Sequence, residues 1–447
     1  MSVVVATTAQ TTSLTFDDAL ALSFERNPAI VASDYARKAA HRERQAAIGL
    51  FMPRISLKGA YAHFDRDIKI DFNPMVASIL PIVGEGLASL GLDISYTLQQ
   101  RNVAVFGGDV VLPLFAGGKV WIANRVAKIN EQRTSLQDSR VRATLVVEVV
   151  ERYFGVSLLQ RVVAIRREAV NAVAQHLKDV MLLEREGMAV ESERLYAEYR
   201  LAEAERELRR SELELRTAEK ALQTSLGIEN AVSPTTPLFL VEQVEPLGYF
   251  IALAEAQNPQ LAEVSSLREL ARANLQYHRA DYFPEIVAMG SALFCNYQLT
   301  PLVPRMAVGV GLNFKIFDGL NREYRTASIR LQLKRVEALE RKAEQDIALL
   351  VEQRYNNLTS LLATVSAVMR SEHFAVEYLR SKSVAYREGV ATAVDVVDAM
   401  LNLMKSRVEM AQTAYNVDVA LVQLLEVAGE SNRFVDYMHR ASSQQIF

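Results

Sequence analysis

Between Ala116 and Glu186 the chain contains no proline and only three glycines, Gly117, Gly118 and Gly155. At 1.5 Å per residue, a helix of about 70 residues is on the order of 100 Å long, and no compact domain contains such a rod. The segment that returns places Leu201, Leu208, Leu215 and Leu222 seven apart, with Ala204, Ser211 and Ala218 three further on. A seven-residue apolar seam is the mark of left-handed coiled-coil packing, and small partners let two backbones approach.

The rod is built twice. Asn27-Pro28 recurs as Asn258-Pro259 and Pro53 as Pro284, both 231 residues on. Later matches stand 202 apart: Phe115 and Gly117 with Phe317 and Gly319, Arg152-Tyr153 with Arg354-Tyr355, Glu186-Gly187 with Glu388-Gly389, and Gly227 with Gly429. The second seam follows the same offset, with Leu403, Met410, Val417 and Leu424 beside Ser406, Thr413 and Ala420. The difference between 231 and 202, 29 residues, is one insertion in the first half between Pro53 and Phe115. The chain is therefore two copies of one supersecondary unit.

Each copy opens with helices. Thr15 precedes Phe16-Asp17-Asp18 as an N-cap with acids in the first turn, and Asn27-Pro28 then breaks the helix. The first repeat is expected over 14–230, with helices 15–51, strands 55–64 and 102–114, a long helix 116–186 and a return helix 190–226. A linker 231–248 leads to the second repeat, 249–430, with helices 249–283, strands 285–297 and 305–317, a long helix 319–388 and a return helix 392–428. A polar tail, 431–447, follows. In the strands the period changes to two: Ile55, Leu57, Gly59 and Tyr61 alternate with Ser56, Lys58, Ala60 and Ala62. In the fourth, Met306, Val308, Val310, Leu312, Phe314 and Ile316 oppose Ala307, Gly309, Gly311, Asn313 and Lys315. Large apolar groups on one face and small or polar ones on the other fit a wall between lipid and water, or a sandwich with one solvated face.

Four strands cannot close a barrel, and an open edge cannot sit in hydrocarbon with its backbone unpaired. Three chains would supply twelve strands, so a homotrimer is the smallest closed solution. The fold class expected is thus mainly α with a small β part, a trimeric twelve-stranded transmembrane β-barrel continued by a coiled-coil helical barrel. The 65–100 segment, with Pro74, Pro81, Gly84, Gly86 and Gly91, holds the insertion and is a lid, a surface helix or a decoration.

Composition removes other classes. Fifty Lys and Arg stand against 53 Asp and Glu, a formal net charge of -3, so no basic surface points to nucleic acid. One cysteine, Cys295, excludes an internal disulfide framework and a thiolate-rich metal site; packing or a lumen-side position suits it better than nucleophilic chemistry. No apolar run approaches the ~18 residues of a spanning helix. His41, His63, His176, His278, His373 and His439 lie more than four residues from one another, so no cofactor, metal or enzyme activity is expected. Met1–Gln10 lacks the basic start and apolar length of a secretory signal, which leaves a cytoplasmic chain or a signal already removed.

Taken in order, Asn27-Pro28, Met52-Pro53, Leu114-Phe115-Ala116-Gly117-Gly118, Arg185-Glu186-Gly187 and Leu226-Gly227 are matched by Asn258-Pro259, Phe283-Pro284, Ile316-Phe317-Asp318-Gly319, Arg387-Glu388-Gly389 and Val427-Ala428-Gly429. This doubled order, covering roughly Leu14 to Glu430, resembles the TolC family of bacterial outer-membrane efflux proteins. The resemblance implies a trimer in outer-membrane lipid, reaching into the periplasm. It also implies export of drugs or proteins with a periplasmic adaptor and an inner-membrane pump, as part of a tripartite efflux or type I secretion system. Gly187, Met188, Ala189, Gly389, Val390 and Ala391 then correspond to the tips where the adaptor docks, although a glycine also simply ends a helix. Tyr386, Asp395 and Asp398 match the family's gate, where a ring of six carboxylates would attract a blocking cation and hold some protons above the ordinary aspartate range; a solvated helix face is the other reading. The family's gate arginine is Ala391 here, which leaves Tyr386 to bond an acid such as Glu193. A soluble coiled-coil scaffold without transport activity, or a pore-forming toxin, accounts for the heptads but leaves the duplicated strands without purpose or calls for a stable soluble monomer.

Overall fold

The computed structural model describes residues 12–81, 94–241 and 243–441. The segment Met1–Gln10, Gly84, Gly86 and Gly91 of the insertion, and the last six residues of the expected tail lie outside the described residues. The first repeat runs β1 (Thr12–Leu14), α1 (Phe16–Arg26), α2 (Pro28–Ile48), β2 (Arg54–His63), β3 (Ile68–Asp71), α3 (Asn73–Ile79), β4 (Ser95–Gln99), β5 (Asn102–Ala116), α4 (Lys119–Arg185) and α5 (Glu191–Leu226). The second runs β6 (Val232–Pro234), α6 (Leu247–Gln257), α7 (Pro259–Arg279), β7 (Glu285–Tyr297), β8 (Met306–Asn313), α8 (Asn321–Arg387) and α9 (Ala393–Ala428), and α10 (Phe434–Ala441) follows. Helices α4 and α8 have 67 residues each, and α5 and α9 have 36 each. The duplication is thus kept to the residue in the rods.

Two compact units divide the chain, one of them formed by Ala40–Glu131 with Glu269–Arg335. This unit holds an antiparallel sheet in the order β2-β5-β7-β8. Register lines up Ile55, Val110, Gly290 and Val308 on one face and Ser56, Asp109, Ser291 and Ala307 on the other. On the first face Ile55 is 73% exposed and Val308 85%; on the second Lys58 pairs with Asp109 at 2.6 Å. The outer edges, β2 and β8, have no strand partner among the described residues. Strand β8 ends at Asn313 rather than at Phe317. Asn313 pairs with Glu285, the first residue of β7, and the residue before it, Pro284, has no N–H to extend the ladder. Cys295 is exposed. The insertion forms a second pairing, β3 with β4, and Gln99 fastens it to the β7–β8 turn by donating to the Gln298 carbonyl (2.7 Å) and accepting from the Thr300 amide (2.9 Å).

The other unit is held by an apolar core in which Phe16, Tyr153, Phe154, Phe239 and Phe434 meet with ring centroids 5.3–5.9 Å apart. Two expectations change here. The linker 231–248 contains β6, which pairs in parallel with β1, and buries Leu238, Phe239, Leu240 and Val241. Tyr153 pins this pair: its hydroxyl donates to the Leu14 carbonyl at 2.7 Å and accepts from the Thr235 and Thr236 amides. The tail is not simply polar, because α10 places Phe434, Tyr437 and Met438 at i, i+3 and i+4, one buried stripe. In α9 the expected seam is buried except at Leu403, which is half-buried, whereas in α5 Ala204, Ser211 and Leu222 are buried and Leu201, Leu208 and Leu215 stay half-buried. Asp418 of α9 is fully buried, and that burial pushes its carboxyl well above the usual range.

The repeated Asn-Pro dipeptides acquire a mechanism. Asn27 and Asn258 are buried between helix ends. Asn258 Oδ1 accepts from the Gln260 and Leu261 amides (2.8 and 3.2 Å), capping α7, while Nδ2 donates to the Val427 carbonyl in the last turn of α9 (2.7 Å). Asn27 does the same for α2 and Ser225, at 2.9 and 3.0 Å. Proline at the first helical position gives up an N–H that would have gone unbonded. The returning helices end on Gly227 and Gly429, both left-handed; a Cβ on Gly429 would stand 2.7 Å from the Gln257 carbonyl.

Thermal melting by circular dichroism tests this joint. Asn258→Ala removes a cap and strands a buried carbonyl, and should destabilise by about 2–3 kcal/mol. Gly429→Ala should be worse than Gly389→Ala, where the left-handed backbone alone costs ~1–2 kcal/mol and no atom lies within 4 Å of the added Cβ.

Candidate functional site

The two turns between long and returning helices are built alike. Met188 N donates to the Leu183 carbonyl (2.8 Å) and Gly187 N to that of Glu184 (2.9 Å); Val390 to Ala385 (2.8 Å) and Gly389 to Tyr386 (3.0 Å) repeat the pattern. These are Schellman endings, which need a left-handed residue, and Gly187 and Gly389 supply φ of 76° and 74°. Beyond each glycine the chain exposes apolar side chains: Met188 is 72% exposed and Val390 83%.

The helix starts that follow differ at the cap, and the site grows from that difference. Thr392 caps α9 by accepting from the Asp395 amide (3.2 Å), and Asp395 Oδ2 accepts in return from the Thr392 amide (3.0 Å) and hydroxyl (2.8 Å). This is a capping box. At the matching place in α5 stands Val190, with no side chain to cap. Glu193, the counterpart of Asp395, instead reaches across and accepts from the Ala393 amide of α9 at 3.3 Å. The helix ends are thereby joined. His176 Nε2 donates to the Ala393 carbonyl (3.2 Å), and Tyr386 lies edge-on to the His176 ring with centroids 5.2 Å apart. Burial holds His176 below its ordinary pKa and, with Glu193 and Asp179 nearby, holds Tyr386 above its own. The Tyr386 hydroxyl has no hydrogen-bond partner among the described residues.

Asp398, three residues beyond Asp395, is engaged from the other repeat. Its Oδ1 accepts from the Tyr196 hydroxyl (2.7 Å) and from Arg200 (3.1 Å), and Arg200 also donates to the Tyr196 oxygen (2.9 Å). Lys382 of α8 donates to Asp395 Oδ1 at 2.9 Å. Sequence reading singled out Tyr386, Asp395, Asp398 and Glu193 but missed Tyr196, Arg200, Lys382 and His176. One signal was available: Tyr196 and Asp398 stand 202 residues apart, the repeat offset itself. The expectation of raised proton affinity concerns a ring of six carboxylates, whereas within one chain Asp395 is held the other way. The Lys382 ammonium first, and then the Thr392 cap, hold it down to about 2.

The order of these elements and the two paired turns can be compared with known proteins. A family model described as outer membrane efflux protein matches residues 19–228 and 250–430. The chain belongs to the outer membrane efflux protein family. Among curated proteins, the outer membrane protein TolC of Escherichia coli K12 is 22% identical over 210 residues, 43% of this chain and 42% of TolC. The chain thus spans less than half the length of the curated relative it matches. Among solved structures, CusC aligns with a TM-score of 0.77 at 15% identity, over 93% of this chain and 92% of CusC. The outer membrane channel CmeC of Campylobacter jejuni aligns with 0.74 at 12% identity, over 95% and 89%, and VceC of Vibrio cholerae with 0.71 at 13%, over 93% and 96%. At such identities the likeness establishes the family's fold over nearly the whole chain.

Asp395 gives a pH test whose sign is fixed. Its folded value of about 2 lies below the ordinary 3.8, so its stabilisation is complete above about pH 4 and is lost as the pH falls toward 2. The gap in melting temperature between the wild type and Asp395→Ala should be constant from pH 7 to 5 and should close near pH 2. A gap that vanishes already at pH 5 would mean that Lys382 and Thr392 do not hold this carboxylate.

Proposed function

We propose that three copies of this chain form an exit duct in a bacterial outer membrane, passively conducting drugs or other cargo delivered by an inner-membrane pump and a periplasmic adaptor. One observation carries the reading: a four-stranded antiparallel sheet with two unpaired edges, one exposed apolar face and one polar face. No helix among the described residues is long and apolar enough to cross a membrane, so contact with outer-membrane lipid falls to the sheet. With an even number of antiparallel strands, the two edges run oppositely, and β8 of one copy can continue antiparallel into β2 of the next. Three copies give the twelve strands of a closed wall, which leaves no edge in hydrocarbon. The scaffold alternative leaves the apolar face bare.

In this duct the turns around Gly187, Met188, Ala189, Gly389, Val390 and Ala391 face the periplasm and dock the adaptor; their exposed apolar tips support that assignment. Asp395, Asp398, Glu193 and Tyr386 form the gate. Threefold repetition would bring six carboxylates around one axis, where a multivalent cation could lodge. The contacts of Asp398 with Tyr196 and Arg200, and of Glu193 with Ala393, fasten the two turns of each chain together, so opening requires their loss. Tyr386 keeps its hydroxyl for an acceptor outside the protomer.

Two experiments test the reading. Within one chain β2 and β8 are three strand spacings apart, about 14 Å, too far for a disulfide. In a Cys295→Ala background, single cysteines in β2 and β8 should therefore cross-link only between chains, giving a ladder that ends at three; a lasting monomer or a ladder past three excludes the twelve-stranded wall. In planar bilayers, Tyr196→Phe with Arg200→Ala should raise closed-state conductance severalfold, and Asp395→Ala with Asp398→Ala should also abolish block by trivalent cations. Unchanged conductance and block in both would place the gate elsewhere.

A further inference from the structure

A cavity of about 360 Å³ lies in the sheet-bearing unit, where the end of β8 and the first turn of α8 face Lys119 and the end of α7. Lys119 and Arg322 flank its carboxylates, while Asp318 Oδ1 is buried with no hydrogen-bond partner among the described residues. Lys119 stands 2.8 Å from Asp281 and 2.6 Å from Glu285. Arg322 is 3.1 Å from Asp318 and donates to the Ile316 and Asp281 carbonyls. Two further cations, Lys315 and Arg325, line the same cavity and have no carboxylate partner among the described residues. Four cationic side chains thus face three carboxylates, and the surplus sits on the two without partners. Thr326 lines the wall beside them; it is only 8% exposed, and its hydroxyl finds no hydrogen-bond partner among the described residues. A buried, unbonded hydroxyl is costly unless something fills the site.

We propose that this cavity binds an oxyanion, a carboxylate or phosphate group. Arg325 offers a planar fork suited to two such oxygens, Lys315 a point charge, and Thr326 a neutral donor. Of the four cationic side chains, Lys315 and Arg325 would repel a cation, and an apolar group would leave the Thr326 hydroxyl unbonded. Asn313 continues the small, polar side of β8, the side of Gly309 and Gly311, which is the face that lines the duct in the reading above. The binding chemistry stands on the cavity alone; that a transported acid reaches it rests on that reading.

Calorimetric titration of the purified full chain in detergent tests the proposal, with inorganic phosphate, phenyl phosphate, benzoate and dihexanoyl phosphatidylglycerol as probes. The wild type should bind soluble anions, more weakly as salt rises. Lys315→Ala with Arg325→Ala should weaken binding at least tenfold and Thr326→Val about threefold, while Arg206→Ala in the other unit changes nothing. Phenyl phosphate or benzoate bound more tightly than phosphate identifies an organic acid as occupant; equal affinities identify the free anion, and either supports the site. Binding of the lipid alone, no binding at all, or binding that survives the double variant overturns it. Arg325→Gln, which keeps the side chain's length, guards against misfolding of the double variant. Because the cross-linking ladder is scored separately, failure here leaves the duct standing, and failure of the ladder leaves the anion site to be judged by titration.

Discussion

Two buried side-chain amides decide where this chain turns. A long helix ends with carbonyls that have no partner and the next begins with amides in the same state; packed against each other in an apolar core, both sets must be satisfied. Asn27 and Asn258 serve both ends at once, oxygen toward the starting helix and nitrogen toward the finishing one. The geometry works only if the finishing helix comes within hydrogen-bond reach, which is why it ends on a glycine pressed against the backbone that leads into the asparagine. Pairing each Asn-Pro with a distant glycine fixes the order and spacing of the helices, and the aromatic core fills around that frame.

The sheet obeys a different economy. Its strands pair well inside but leave two edges, and its apolar face is largely bare at Ile55 and Val308. Water tolerates neither feature for long. The helical unit can be understood from its own contacts, whereas the sheet keeps its apolar face exposed and its two edges without a strand partner among the described residues.

Much of the fold was legible because its signals are local. Unbroken helical text, period-two alternation at Ile55–Tyr61 and doubled breakers need only neighbours along the chain, and they sufficed for a mainly helical, duplicated architecture with a small sheet. What stayed hidden depends on partners far away in sequence. Nothing near Leu14 announces that it pairs with Pro234 under the Tyr153 hydroxyl. The 434–441 stripe is too short to stand out from a polar tail, and the stop of β8 is set by where β7 begins. At the turns, Asp395 and Asp398 stand out by spacing, but their electrostatics do not: an isolated pair of carboxylates suggests mutual repulsion, and only the fold delivers Lys382 and Arg200 to quench it.

The contact between Tyr196 and Asp398 joins two positions that the duplication makes equivalent. Had both copies kept the same residue there, the pair would be two acids, which repel, or two phenols, which leave Arg200 with Glu203 of its own helix and no carboxylate from the other repeat. A doubled gene with identical halves can pack, but it cannot be charge-complementary to itself at a point where a residue meets its own counterpart. Divergence at that one place turns a pseudo-symmetric seam into a directional latch, in which one half donates and the other accepts, so the two turns of a chain are no longer interchangeable.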